Sequence, residues 1–215
     1  YHLPVASAQV KSCLLLAGLA SSCSVTIRED VLTRDHTERM LEAIGAGIDI
    51  RQPKGVMVVD ADDPRKKRIE KSESFAGEVK LNSSAHINGG EISIPGDIST
   101  AAFFWAVGAI SGKPVTVTGV GLNPTRTTIL DHLRNIGCTV SIDNRRTIGG
   151  EARGDVTVEG QSLKARKISG EITVGLIDEI PIVAVMAAFA EGTTLIRNAE
   201  ELKVKESNRL AAITE

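Results

Sequence analysis

The sequence predicts an α/β (α+β) fold assembled from a repeated unit. Three observations predict it. An order of apolar helix, short strand, amphipathic helix, strand and strand recurs along the chain. The junctions of the first two copies match, Ile44-Gly45-Ala46-Gly47-Ile48-Asp49-Ile50 against Ile136-Gly137-Cys138-Thr139-Val140-Ser141-Ile142. The unit is also too long for a thin solenoid, so its helices are expected to pack inside or beneath sheets.

The first copy opens with a helix over residues 7–19, rich in small and apolar residues. A strand over 24–27 follows, then a helix over 36–44 with Met40, Leu41 and Ile44 at helical spacing. Gly45 stands where a helix-terminating glycine belongs. Residues 48–50 and 56–59 read as strands. The second copy places a helix over 99–110, a strand over 114–118, a helix over 126–136 ended by Gly137, and a strand over 140–142. The third places a helix over 178–190, a strand over 193–197 and a helix over 205–213.

Between copies, a strand-like 91–94 meets the break Pro95-Gly96, which marks the expected domain boundary. The division is therefore 1–95 and 96–215. Just upstream, residues 60–90 hold the run Asp62-Asp63-Pro64-Arg65-Lys66-Lys67-Arg68. Its mixed charge predicts a solvated loop or loop–helix insertion.

Composition narrows the function. The 215 residues are 42% hydrophobic and 24% charged, which argues against a disordered chain. A net charge of -2 disfavours a general nucleic-acid binder. Aromatics at 3% leave almost no platform for stacking bases. No apolar run is long enough to span a bilayer, so no membrane partner is expected. Cys13, Cys23 and Cys138 lack metal-ligand spacing and read as reduced, cytoplasmic thiols. The scattered histidines offer no metal site either.

Four segments carry chemistry. In Ala6-Ser7-Ala8-Gln9, a hydroxyl residue opens an apolar helix, where free N–H groups and the helix dipole suit an anion. Taken alone, Ser7 reads first as a helix cap. In Thr33-Arg34-Asp35-His36, an arginine stands at a second helix start, and its planar fork suits phosphate. The bland alternative is a surface arginine beside a capping Asp35. In Ile177-Asp178-Glu179, an acidic pair opens a strongly apolar helix, suited to gripping hydroxyls, accepting a proton or simply capping. In Lys205-Glu206-Ser207-Asn208-Arg209, Lys205 and Arg209 are spaced to share a helix face, with Glu206 beside them. The spacing fits polyanion binding with proton transfer, and equally an exposed ion-pair pattern.

Together these motifs, with Asn123-Pro124-Thr125-Arg126, resemble in order and spacing the 3-phosphoshikimate 1-carboxyvinyltransferase (EPSP synthase) family, in its Ser-Ala-Gln variants. The resemblance runs from the first residues to the last and covers about half of a typical member. With no Met ahead of Tyr1, the sequence is expected to be a central fragment. The resemblance implies two domains of repeated βαβαββ units, the inside-out α/β barrel of the enolpyruvyltransferases, here incomplete. It implies transfer of the enolpyruvyl group of phosphoenolpyruvate to the 5-hydroxyl of shikimate 3-phosphate, with no metal or other cofactor. It assigns Ser7, Ala8, Gln9, Thr33, Arg34, Asp178 and Lys205 to shikimate 3-phosphate and Arg209 to phosphoenolpyruvate. Asp178 and Glu206 become the catalytic pair. Asn208 departs from the aspartate expected before that arginine. Two other readings stand beside this one. One is a non-catalytic anion-binding fragment; on any of these readings, exposed edges of an incomplete fold invite self-association. The other is UDP-N-acetylglucosamine enolpyruvyltransferase, against which the Ser-Ala-Gln and Lys-Glu-Ser motifs argue.

Overall fold

The computed structural model describes residues 1–52, 55–59, 67–71, 75–82, 87–89, 91–205 and 207–214. The chain divides into two compact units, Tyr1–Ile92 and Ser93–Glu215.

The first unit runs α1 (Ala8–Ala20), β1 (Val25–Glu29), α2 (His36–Ala43), β2 (Ile48–Arg51), β3 (Gly55–Val59), β4 (Lys67–Lys71) and β5 (Gly77–Leu81). Ser7 starts α1, its Oγ accepting the Val10 N–H at 3.3 Å. After α2, Gly45 sits at φ 85°, a left-handed conformation that favours glycine and turns the chain into β2. β5 is the middle strand of an antiparallel sheet ordered β1-β5-β2, with Ile27 and Ile50 both opposite Val79. Leu3, Leu15, Ile27, Leu41, Ala46, Val79 and Leu81 form its aliphatic core. β3 and β4 make a separate antiparallel pair.

The loop or loop–helix expected over 60–90 is corrected here, because its described residues include β4 and the central strand β5. Gly77, Val79 and Leu81 face inward while Lys80 is exposed. Charge at alternate positions marks a half-buried strand, and the surrounding mixed charge obscured that period.

The second unit runs α3 (Ile98–Ser111), β6 (Val115–Gly121), α4 (Thr128–Asn135), β7 (Cys138–Ile148), β8 (Glu151–Gly160), β9 (Lys167–Ile168), α5 (Glu171–Gly175), α6 (Ile180–Ala188), β10 (Leu195–Ile196), a 3-10 turn (Glu200–Lys203) and α7 (Arg209–Thr214). β8 lies between β6 and β7 in an antiparallel sheet, and β9 pairs with β10 in parallel. Asp97 caps α3, accepting from the Thr100 N–H at 2.8 Å and its hydroxyl at 2.7 Å. Trp105 of α3 is fully buried, and its indole N–H donates to the Val156 carbonyl of β8 at 3.2 Å. Helix and sheet approach closely because Gly108 and Gly160 lack a Cβ. One at Gly108 would stand 2.5 Å from the Val158 carbonyl oxygen, and one at Gly160 would overlap the Ala109 backbone.

Three further expectations change. Residues 91–94 form no strand, and pairing there begins with a bridge from Gly96 to Val120. The Arg153 guanidinium instead holds this segment, donating to the Ser93 hydroxyl at 2.9 Å and to the Ser93 carbonyl. β8, which stands where the repeat calls for a second strand, has no residues assigned to it from the sequence. The last helix begins at Arg209 rather than at residue 205, because Asn208 Oδ1 accepts the Ala211 N–H at 3.2 Å and so caps it. Lys205 lies before the helix, so Lys205 and Arg209 do not share a helical face.

Candidate active site

Each unit carries one polar cluster at the start of its helices. In the first unit, the α1 segment Ser7-Ala8-Gln9 leads into Lys11, whose side chain is almost wholly buried. Lys11 Nζ lies 3.0 Å from Glu29 Oε1 at the end of β1 and 2.7 Å from Glu38 Oε1 in α2. The other oxygen of Glu29 accepts the Thr33 N–H at 3.2 Å and the Thr33 hydroxyl at 2.7 Å. Ser12 and Thr37 share a hydroxyl hydrogen bond of 2.6 Å. The start of α1 is thereby tied to the turn carrying Thr33 and Arg34. Ser7 and Ala8 are half-buried, while Gln9 and Arg34 are exposed. Asp35 makes no side-chain cap bond to α2 and instead pairs with Arg39 at 2.9 Å. That removes the capping expectation for Asp35.

In the second unit the cluster centres on Arg126, in the turn before α4. Its Nη1 donates to Asp178 Oδ2 at 2.9 Å, and its Nη2 to Glu179 Oε1 at 3.0 Å and Ser99 Oγ at 2.5 Å. The Ser99 hydroxyl donates onward to Glu179 Oε1 at 2.5 Å. Lys205 Nζ reaches Glu201 at 2.7 Å and stands 3.8 Å from Asp178 Oδ1. A turn organises the arginine: Asn123 Oδ1 accepts the Thr125 N–H at 2.9 Å and the Thr125 hydroxyl at 2.8 Å. α6 presents Asp178 and Glu179 because Pro181 fits only a first turn.

The two acidic neighbours differ in environment. The Glu179 side chain is 1% exposed and that of Asp178 is 22% exposed. Burial pushes the Glu179 carboxyl above its usual range, outweighing the Ser99 hydrogen bond and the Arg126 charge. Its Oε2 has no hydrogen-bond partner among the described residues. Burial also opposes ionisation of Asp97, but the Thr100 and Ser99 hydrogen bonds and the Arg126 charge prevail and lower it. Two fixed cations among several carboxylates can orient a proton-accepting group and attract anions. No set of three His, Cys, Asp or Glu suited to a metal ion occurs among the described residues.

Of the residues singled out from the sequence, Thr33 bonds into the first cluster, Ser7, Ala8 and Gln9 lie at the start of α1 and Arg34 follows Thr33 in the chain, and Asp178 and Lys205 fall in the second cluster. Arg209 opens α7, and Glu206 lies outside the described residues. Sequence reasoning overlooked Lys11, Glu29 and Glu38. A lone lysine on an apolar helix was the available signal. In the sequence Arg126 is only the last residue of Asn123-Pro124-Thr125-Arg126, with no spacing that gives it a role, and nothing near Glu179 in sequence points to Ser99.

Known proteins match the whole chain. A model of EPSP synthase (3-phosphoshikimate 1-carboxyvinyltransferase) matches residues 1–70 and 66–215. A 3-phosphoshikimate 1-carboxyvinyltransferase of Synechocystis is 46% identical over 215 residues, covering 99% of this chain and 43% of its own length. One from Alkaliphilus metalliredigens is 47% identical over 214 residues, covering 99% and 44%. The solved EPSP synthase of Acinetobacter baumannii superposes with a TM-score of 0.78 at 36% identity, covering all of this chain and 43% of that one. The chain thus spans less than half the length of these relatives. The described elements are those of an incomplete EPSP synthase-like α/β fold. Among the described residues no helix is long and apolar enough to cross a membrane. With a family model matched from Tyr1 to Glu215 and relatives near half identity throughout, the chain belongs to the EPSP synthase family.

Proposed function

We propose that the protein transfers the enolpyruvyl group of phosphoenolpyruvate to the 5-hydroxyl of shikimate 3-phosphate, releasing phosphate. The observation that carries this reading is the partly exposed Asp178 carboxylate, held between Arg126 and Lys205 in a chain of this family. In the addition step the hydroxyl oxygen bonds to C2 of phosphoenolpyruvate while the methylene carbon gains a proton. In the elimination step that carbon loses a proton, the double bond re-forms and phosphate leaves.

Asp178 holds the shikimate hydroxyls and takes the proton from the attacking oxygen, a task that needs a carboxylate within hydrogen-bond reach. Glu206 exchanges the methylene proton. Ser7, Ala8, Thr33 and Arg34 bind the shikimate phosphate, and Gln9 packs on the ring. The exposed Arg34 and the helix start at Ser7-Ala8 suit this role. Lys205 contacts shikimate 3-phosphate, and Arg209 binds the phosphoenolpyruvate side. Fixed positive groups stabilise the charge that develops between two anionic substrates. The two units are assigned to the enzyme's two domains, with the crossover near Pro95.

The exposed, free Cys13 and Cys23 suit a reducing cytoplasmic setting. Self-association through the edge strand β7, which pairs only with β8 among the described residues, belongs to the same proposal, and sedimentation velocity tests it. Phosphate release from the two substrates, with calorimetric titration of shikimate 3-phosphate, tests the function. Saturable binding with release supports it. Binding without release leaves an anion-binding module, and no binding removes the intact site.

A further inference from the structure

We propose that Arg126 is a positioning residue that fixes which oxygen of Asp178 faces substrate. This rests on the reading of Asp178 as the proton-accepting group. The guanidinium is planar, so anchoring one nitrogen sets the direction of the other. Nη2 is anchored twice, by Ser99 Oγ at 2.5 Å and by Glu179 Oε1 at 3.0 Å. Glu179 is sealed from water, so this anchor cannot swing out to solvent. Nη1 is then aimed at Asp178 Oδ2, 2.9 Å away.

With Oδ2 occupied, rotation of the Asp178 carboxylate is arrested, and Oδ1 is the oxygen turned toward Lys205 at 3.8 Å. Asp178 is also the more exposed of the two carboxylates on Arg126. The clamp therefore spends its buried side on Glu179 and Ser99 and its outward side on the group meeting substrate. Below the arginine, the Asn123 turn and the Asn123 amide, 3.3 Å from buried Glu151, hold the backbone at 126. The Asn-Pro-Thr-Arg motif thereby gains a physical task, with Asn123 shaping the turn and Arg126 reaching across to α6.

A double-mutant cycle on the full-length protein tests this. Arg126→Met is expected to lower kcat by about tenfold or more, since small misplacements of a reacting group cost that much. KM for phosphoenolpyruvate, which Asp178 does not hold, is expected to stay within about twofold, so that the loss is read in kcat, the signature of an interaction needed in the transition state. Arg126→Lys, which keeps the charge and loses the fork, is expected to fall between wild type and Arg126→Met. It serves as the readout if the methionine variant fails to fold by circular dichroism. Asp178→Asn is expected to be slow, and adding Arg126→Met to it to cost no further rate, because the arginine acts through Asp178.

A purely structural role would instead multiply the two losses, and that outcome overturns the proposal. So does an unchanged kcat in Arg126→Met, or a loss confined to KM. Full turnover by Asp178→Asn is a separate failure. It removes the acid–base reading of Asp178 and the positioning role with it.

Discussion

Lys11 Nζ lies 2.7 Å from Glu38 Oε1, and both side chains are sealed from water. The same ammonium also serves Glu29, so one cation offsets two buried carboxylates. Removing the cation leaves both uncompensated. Lys11→Met is expected to destabilise the protein by about 3–5 kcal/mol, the usual cost of breaking a buried pair from one side. Denaturant unfolding measures it. A loss below about 1 kcal/mol would mean that the cluster relaxes into water instead.

Arg34 and His36 are both exposed at the start of α2, yet only the arginine offers a fork for phosphate. Arg34→Ala is therefore expected to weaken shikimate 3-phosphate binding by about tenfold or more, and His36→Ala to change it little. Calorimetry on the two variants decides. The reverse order of affinities would move the phosphate site away from Arg34.

His132 is buried in α4, and burial, helped by the Arg166 charge, lowers it to about 4 from 6.5. Between those values the unfolded chain holds a proton that the folded chain refuses. The contribution to stability is full above about 6.5 and is lost as pH falls toward about 4. The loss is on the order of 3 kcal/mol. His132→Gln is expected to flatten this part of the stability–pH curve. An identical slope in wild type and variant would place the acid sensitivity elsewhere.

Burial pushes the Cys138 thiol up to about 11, whereas Cys13 and Cys23 are exposed. Thiolates react and thiols do not, so mild alkylation of the native protein is expected to label Cys13 and Cys23 and spare Cys138. Mass spectrometry after proteolysis reads the sites. Cys138 should become reactive only in denaturant, and equal labelling of all three would contradict its place in the core.

The repeated helix–strand order was legible because small-residue helices and helix-ending glycines are local signals. Gly45 and Gly137, at φ 85° and 106°, stand where the matching junctions placed them. β8 was not legible: Glu151, Arg153, Asp155 and Glu159 make it look like a polar loop. Yet Val156 and Val158 are wholly buried, and Arg153 is buried against Ser93. The Gly149-Gly150 pair was the missed cue, since two glycines between extended runs mark a hairpin. The motifs of the candidate site can be read in the sequence, but the partnerships of their side chains cannot. No spacing rule links Arg126 with Asp178, 52 positions on, because that distance is closed only by packing α6 into the core. Nor does spacing say that a lysine will be buried, as Lys11 is.

That hairpin has a consequence for how the second unit is made. Gly149 and Gly150, at φ 59° and 78°, join β7 and β8 with a two-residue loop, and Ile148 faces Glu151 directly. Zipping this pair closes the shortest possible loop, so little chain entropy is lost before hydrogen bonds repay it. β6 must then dock on β8 from more than thirty residues upstream, with Val115 opposite Val158. The ribbon should therefore form first on the folding pathway, with β6 and α3 condensing onto a template already in register. During synthesis, α3 and β6 leave the ribosome before that template exists and wait, unpaired, for the strand that organises them.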